Sequence, residues 1–250
     1  MSATRILPSE ARFRNRSAKS PRERIATATT VPELPIFYDA LLRAYGPQGW
    51  WPGRTRFEVI VGAILTQNTS WSNVERAIAE LRRAELLSAD AIERVPLARL
   101  SRLIRSSGYF RQKARKLKAF VQYLREQYQG SLDKLFATPT TELREELLAV
   151  HGIGPETADS ILLYAGNHPV FVVDAYTRRI LERHGLAQGK ESYNEIRRLF
   201  EQSLPANAAL FNEYHALIVH AGKHFCRKGE ADCAHCALQP FLPATAVVDR

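Results

Sequence analysis

Residues 147–186 read LLAVHGIGPETADSILLYAGNHPVFVVDAYTRRILERHGL, and this stretch decides the fold. Two helical patterns flank His151-Gly152-Ile153-Gly154. Glycines two apart let the backbone turn sharply through positive φ and leave room for close approach. The Gly154 end opens a helix, whose free N–H groups and positive dipole end suit a phosphate. Taken alone, Gly-x-Gly reads first as an ordinary tight turn between two helices. Further along, Asp174 stands between the apolar run Val170-Phe171-Val172-Val173 and the start of the next helix. Its carboxylate is placed to cap that helix, where the dipole and amide hydrogen bonds keep it ionised.

Outward from this stretch, helical periodicity dominates. Phe57-Val59-Ile60-Ala63-Ile64 fits a buried helix, and Val74-Ala77-Ile78-Leu81 gives another after the cap candidates Ser70 and Ser72. Ala91 to Val95 and Leu97 to Ile104 are short helices separated by Pro96. A longer amphipathic helix follows, over Ala114-Leu117-Phe120-Val121-Leu124-Tyr128, and ends by Gly130. Helices are also predicted over Thr141 to Val150, Thr157 to Ala165, Ala175 to His184, Tyr193 to Leu204 and Ala208 to Phe225. Residues 170–173 have no partner strand elsewhere, and a lone strand cannot stand. The class is therefore all-α. Gly46 to Gly53 is rich in turn formers and reads as a linker.

Composition narrows the partner. No apolar run reaches the roughly 18 residues of a membrane span, and the N-terminus lacks a signal-peptide core, so a soluble, cytoplasmic, nucleoid-associated monomer is expected. A formal net charge of +9 favours a polyanion such as nucleic acid. Up to Val31, seven basic residues stand against Glu10 and Glu23, more than half of that net charge. This Arg-rich tail, residues 1–32, has few large apolar side chains and reads as disordered. It is either a tether that raises non-specific DNA affinity or a solvated extension; a transit peptide is a third reading.

The order of hairpin, the loop Gly166-Asn167-His168-Pro169 and Asp174 resembles the helix-hairpin-helix (HhH-GPD) superfamily of DNA glycosylases, which includes endonuclease III. The resemblance runs from about Leu34 to Cys236 and is nearest to the endonuclease III-related proteins, among them a bacterial 3-methyladenine DNA glycosylase. It implies a two-lobed fold: a central lobe at 54–164 carrying the hairpin, and a second lobe joining 33–53 to 165–250 and ending in a cysteine loop. It implies that Gly152, Ile153, Gly154 and Thr157 contact DNA and that Asp174 is catalytic. A fixed anion there would stabilise the positive charge that develops on the sugar as an N-glycosidic bond breaks. A purely structural helix cap is the other reading of Asp174.

The departures from the family set the expected mechanism. Lyase members carry a lysine two positions after the second hairpin glycine, and here that position is Glu156. A carboxylate cannot form an imine, so a monofunctional glycosylase that uses water is expected, with weak or absent AP-lyase activity. Glu156 reads as a first-turn residue that complements the helix dipole, with an extra acid or base as its other reading.

The resemblance also places Trp50, Trp51, Pro52 and Trp71 around an extruded base, where electron-rich faces suit an alkylated purine. Core packing is their alternative role. Gln67 and Tyr109 match the residues that fill the gap left in duplex DNA. Arg111, Lys113, Arg115, Lys116 and Lys118 follow as phosphate contacts or a solvated face.

Cys226, Cys233 and Cys236 match the first three ligands of a Cys-x6-Cys-x2-Cys-x5-Cys iron-sulfur (4Fe-4S) site, but the fourth position is Leu242. Three readings stand: a cluster with three cysteine ligands, zinc completed by His224 or His235, or no metal. The rival functions are an oxidised-pyrimidine glycosylase with lyase activity and a non-catalytic DNA-structure binding protein.

Overall fold

The computed structural model describes residues 30–243. Most of the basic tail lies outside them, but the tail was drawn too long. Val31 is buried, and its amide donates to Ser203 Oγ at 2.8 Å, so the packed chain has begun by that residue.

Among the described residues the chain is helical and contains no strand. The central lobe comprises α2 (Arg56–Leu65), α3 (Trp71–Arg83), α4 (Ala89–Arg94), α5 (Leu97–Leu103), α6 (Phe110–Tyr128), α7 (Leu132–Ala137), α8 (Thr140–Ala149) and α9 (Pro155–Ser160). The second comprises α1 (Glu33–Tyr45), α10 (Ala175–Arg183), α11 (Tyr193–Ser203) and α12 (Ala208–His224). Helix α2 is the axle of the first lobe. Every residue from Phe57 to Leu65 is buried, and Glu58 is tolerated there because Arg82 meets it at 2.7 Å. Helix α12 plays the same part in the second lobe, packing on α1 and α10.

Two elements differ from the sequence reading. Helix α1 was not predicted, because Pro32 and Pro35 obscure its start. Proline is tolerated in a first helical turn, whose N–H groups have no intrahelical partner. Leu34, Phe37 and Leu41 then bury one face of α1. The helix predicted from Thr157 begins at Pro155 and changes character: Ile161–Ala165 forms a single π turn. That turn packs on α2 from one lobe and on α12 from the other. Single π turns inside helices recur at functional sites.

The run 170–173 is buried and belongs to no strand or helix. Its amides find other partners, as buried backbone groups must. Phe171 N donates to Glu201 Oε1 at 3.0 Å, and Val173 N to the Tyr193 hydroxyl at 3.3 Å. The Phe171 ring stacks on Phe200 with centroids 3.8 Å apart. Side chains of α11 thus anchor this segment just ahead of Asp174 at the head of α10.

Candidate active site

Asp174 has extended backbone, φ −110° and ψ −175°, and caps α10. Its Oδ1 accepts from Thr177 N at 2.8 Å and from Thr177 Oγ1 at 3.0 Å. Its Oδ2 is not used by the cap and lies 3.6 Å from His215 Nε2, within ion-pair range and beyond a direct hydrogen bond. Burial alone would raise the carboxyl's pKa. The His215 imidazole and the two Thr177 donors more than reverse that, and the group is held below its ordinary value.

Around Asp174 stand residues from both lobes. Tyr164, on the π turn, hydrogen-bonds His215 Nδ1 at 2.6 Å. The Trp51 ring lies 4.8 Å from Tyr164 and 5.0 Å from Trp71, and Trp50 packs edge-on to Trp51 at 5.5 Å. All four rings remain partly accessible. They form one aromatic cluster, in which Trp51, Trp71 and Tyr164 also pack against the core. Gly62 makes this approach feasible: a Cβ there would meet Trp51 at 3.3 Å and Trp71 at 3.5 Å. The Lys223 ammonium sits 5.6 Å over the Trp50 ring. Pro52 is exposed beyond the tryptophans.

Glu156 occupies the first turn of α9, as its dipole role requires, yet it does more. Its residue surface is exposed, although neighbouring protein partly desolvates its carboxyl. Burial first and the Asp174 charge second push its carboxyl above the ordinary value, with His215 and Arg178 partly offsetting them. The two carboxyl groups therefore share one electrostatic site. Tyr164 feels the same field: burial, Asp174 and Glu156 raise its hydroxyl well above the phenol range, so it stays protonated.

The hairpin uses its two glycines differently. Gly152 has φ +82°, and a Cβ there would strike the Lys116 stem at 2.5 Å. Gly154 does not adopt positive φ; it is extended at φ −96°, and no protein atom lies within 4 Å of a Cβ placed there. Pro155 at the first helical position also removes one of the expected free N–H donors. Ile153 is buried and anchors the turn from below. Thr157 was expected to face DNA but is buried, and its hydroxyl accepts from Gln67 Nε2 at 2.8 Å. Gln67 Nε2 also reaches Gly152 O at 3.2 Å, and Lys116 Nζ donates to Gln67 Oε1. Gln67 is thus tethered to the hairpin in this structure. Tyr109 is 66% exposed in the left-handed region, φ 43°, at the head of α6.

The cationic face drawn along α6 is corrected at two positions. Lys113 is buried, donating to Leu65 O at 2.8 Å and Ser107 O at 2.6 Å. It joins the end of α2, ahead of Gln67, to the loop ahead of Tyr109. Burial first and Lys116 second lower its pKa to about 8. Lys118 is spent on the carbonyls of Glu93 and Val95. Arg111 and Arg115 stay exposed.

Cys226, Cys233 and Cys236 line one small cavity, and Leu242 closes it where a fourth thiolate would stand. Among the described residues no group of three or more His, Cys, Asp or Glu is arranged to hold a metal ion. His224 and His235 are exposed away from the cavity wall, and His235 pairs with Asp232 at 2.8 Å. His184 does line the cavity, but backbone carbonyls face both of its nitrogens. A tetrathiolate cluster does not fit this donor set.

Sequence reasoning missed Tyr164, His215, Gly62 and the Lys113 tie. The one signal for His215 was a polar residue on the apolar face of α12; Tyr164 gave none inside its apolar run.

The HhH-GPD superfamily base excision DNA repair protein sequence model matches residues 61–206. The chain is 48% identical over 206 residues to a protein of Methanocaldococcus jannaschii that carries a provisional DNA repair glycosylase name, covering 82% of this chain and 93% of that one. A crystal structure of H. pylori 3-methyladenine DNA glycosylase bound to 1,N6-ethenoadenine superposes with a TM-score of 0.66 at 29% identity, covering 77% of this chain and 98% of that one. A trapped endonuclease III–DNA covalent intermediate superposes with a TM-score of 0.72 at 21% identity, covering 84% and 94%, a likeness of fold. No helix among the described residues is long and apolar enough to cross a membrane.

Proposed function

The chain belongs to the HhH-GPD superfamily of base excision DNA repair proteins, and from that premise we propose that this DNA glycosylase is monofunctional and hydrolyses alkylated purines from duplex DNA. Asp174 carries the reading. Its carboxylate is fixed by a helix cap through one oxygen and kept ionised, and His215 links it to Tyr164, on which the Trp51 ring packs. Cleavage of an N-glycosidic bond builds oxocarbenium charge on the sugar, which a preorganised anion lowers in energy without moving. The same carboxylate can orient the attacking water.

Glu156 supports water as the nucleophile, since it cannot form an imine where lyase relatives carry an amine. Burial and the Asp174 charge raise its carboxyl's pKa. The rings of Trp50, Trp51, Trp71 and Tyr164 favour a flat, electron-poor base. The H. pylori neighbour, crystallised with a modified adenine, supports a purine. Gly154, with open space where a side chain would project, suits close approach of a phosphate. Tyr109, exposed at a loop tip, suits insertion into the gap, and Gln67 would join it on leaving its tether. No step uses a metal.

The test is free-base release from a panel of alkylated, oxidised and deaminated duplexes, with borohydride trapping run in parallel. Alkylated purine duplexes should release base and leave an unbroken abasic strand without a covalent adduct. An adduct forming as fast as base release would replace this reading with a lyase. Release from no duplex would leave a DNA-structure binding protein.

A further inference from the structure

We infer that His215, set by Tyr164, is the positioning residue for the Asp174 oxygen that faces the substrate, an inference that rests on the catalytic reading of Asp174. The two oxygens of that carboxylate are held unequally. Oδ1 takes both Thr177 donors, so the cap fixes its place. Oδ2 takes no part in the cap and lies 3.6 Å from the imidazole Nε2. Oδ2 is therefore the oxygen left for chemistry, and His215 governs it.

The hydrogen placement follows from Tyr164. Its hydroxyl keeps its proton and lies 2.6 Å from His215 Nδ1. When Tyr164 donates to Nδ1, the ring's hydrogen stands on Nε2, aimed at Asp174. The opposite placement would turn a bare nitrogen lone pair toward a carboxylate, which is repulsive. His215 is buried, and Nε2 is sealed from solvent with no hydrogen-bond partner. A buried donor is rarely left without one. At 3.6 Å it stands a short movement from a bond to Oδ2, and catalytic hydrogen bonds commonly tighten only when substrate is bound.

An N–H on Nε2 aligns Oδ2 and favours the anion. The other charged groups around the pair are Glu156 from α9 and Arg178 from α10. Both are reached from their own elements and remain when His215 is changed.

The test is His215→Phe, read in two ways. The first is the pH profile of single-turnover base release. Losing the imidazole should move the acid limb to higher pH by about one unit, because Asp174 loses a group that favours its ionised form. The second is the titration of the Asp174 carboxyl followed by carbon NMR in the free protein, which should shift upward in step and needs no substrate. His215→Gln, with an amide donor, should recover part of both shifts. Tyr164→Phe removes only the hydroxyl on Nδ1; it should shift both readouts less, and it supplies the test if His215→Phe fails to fold.

A profile and a titration unchanged in His215→Phe would overturn the proposal. Asp174→Asn separates the two levels. If that variant keeps wild-type base release, the catalytic reading itself fails. If it is inactive while His215→Phe titrates like wild type, only the role given to His215 fails.

Discussion

Arg144→Met should strand a charge in the interior, and the cost can be worked out. Asp159, on α9, is fully buried. Arg144, on α8, grips it with two bonds, Nε to Oδ1 at 2.6 Å and Nη2 to Oδ2 at 3.1 Å, and its Nη2 also reaches Asn194 Oδ1 at 3.0 Å on α11. This clasp joins the two lobes beneath the hairpin helix. Even with Arg144 present, burial holds the Asp159 carboxyl above its ordinary 3.8.

Without the guanidinium, Asp159 must sit ionised in the core or take up a proton. Protonation sets a ceiling. Holding a proton at pH 7 on a group that ordinarily titrates at 3.8 costs about 1.4 kcal/mol per unit, or about 4 kcal/mol. Removing one partner of a buried pair costs a similar ~3–5 kcal/mol. For a chain of this size that lowers Tm by roughly 10 °C.

The pH dependence has a definite sign. In the variant the folded pKa is raised above the unfolded value. Stability relative to wild type is therefore regained as pH falls and lost as pH rises through the raised value. At pH 5 the ceiling shrinks to about 2 kcal/mol. Chemical denaturation at both pH values measures it, and Arg144→Met with Asp159→Leu should recover most of the loss. A single variant within about 1 kcal/mol of wild type at pH 7, or a deficit that ignores pH, would refute the reasoning.

Other outcomes follow from single residues. Glu156→Lys places an amine beside Asp174 and should create a borohydride-trapped adduct on abasic DNA; no adduct would mean that position 156 does not face the sugar. Lys113 titrates at about 8 folded against 10.5 unfolded, so wild type should gain up to about 3 kcal/mol of stability as pH rises through that window. Lys113→Met should lack the gain, and parallel denaturation curves for the two proteins would contradict it. Tyr109→Ala removes an exposed ring, so Tm should hardly move, within about 0.5 kcal/mol of stability. Base release from duplex should fall about tenfold or more while release from single strands does not; equal loss on both would exclude the wedge role.

The parts of this molecule that a sequence encodes locally were readable in advance. An apolar run followed by a helix start marked Asp174 as a cap, and periodicity marked most helices and the all-α class. What sequence could not give was assembled by tertiary packing. Helix α1 hides behind Pro32 and Pro35, whose helix-breaking reputation does not hold in a first turn. Tyr164 and His215 meet only because the π turn and α12, far apart in sequence, pack together. Lys113 sits in a run of cations that resembles a solvated face, and only the fold shows it turned inward. Glycine spacing located the hairpin correctly, while Gly152 and Gly154 serve different needs within it.

The most direct measurement is single-turnover base release by Asp174→Asn. Asparagine keeps an oxygen for the Thr177 amide, so the cap should persist and Tm should stay near wild type. A charge acting about 4 Å from the developing cation, at an effective dielectric near 20, is worth about 4 kcal/mol, so the rate should fall roughly a thousandfold. A folded Asp174→Asn protein releasing base at close to the wild-type rate would contradict the account.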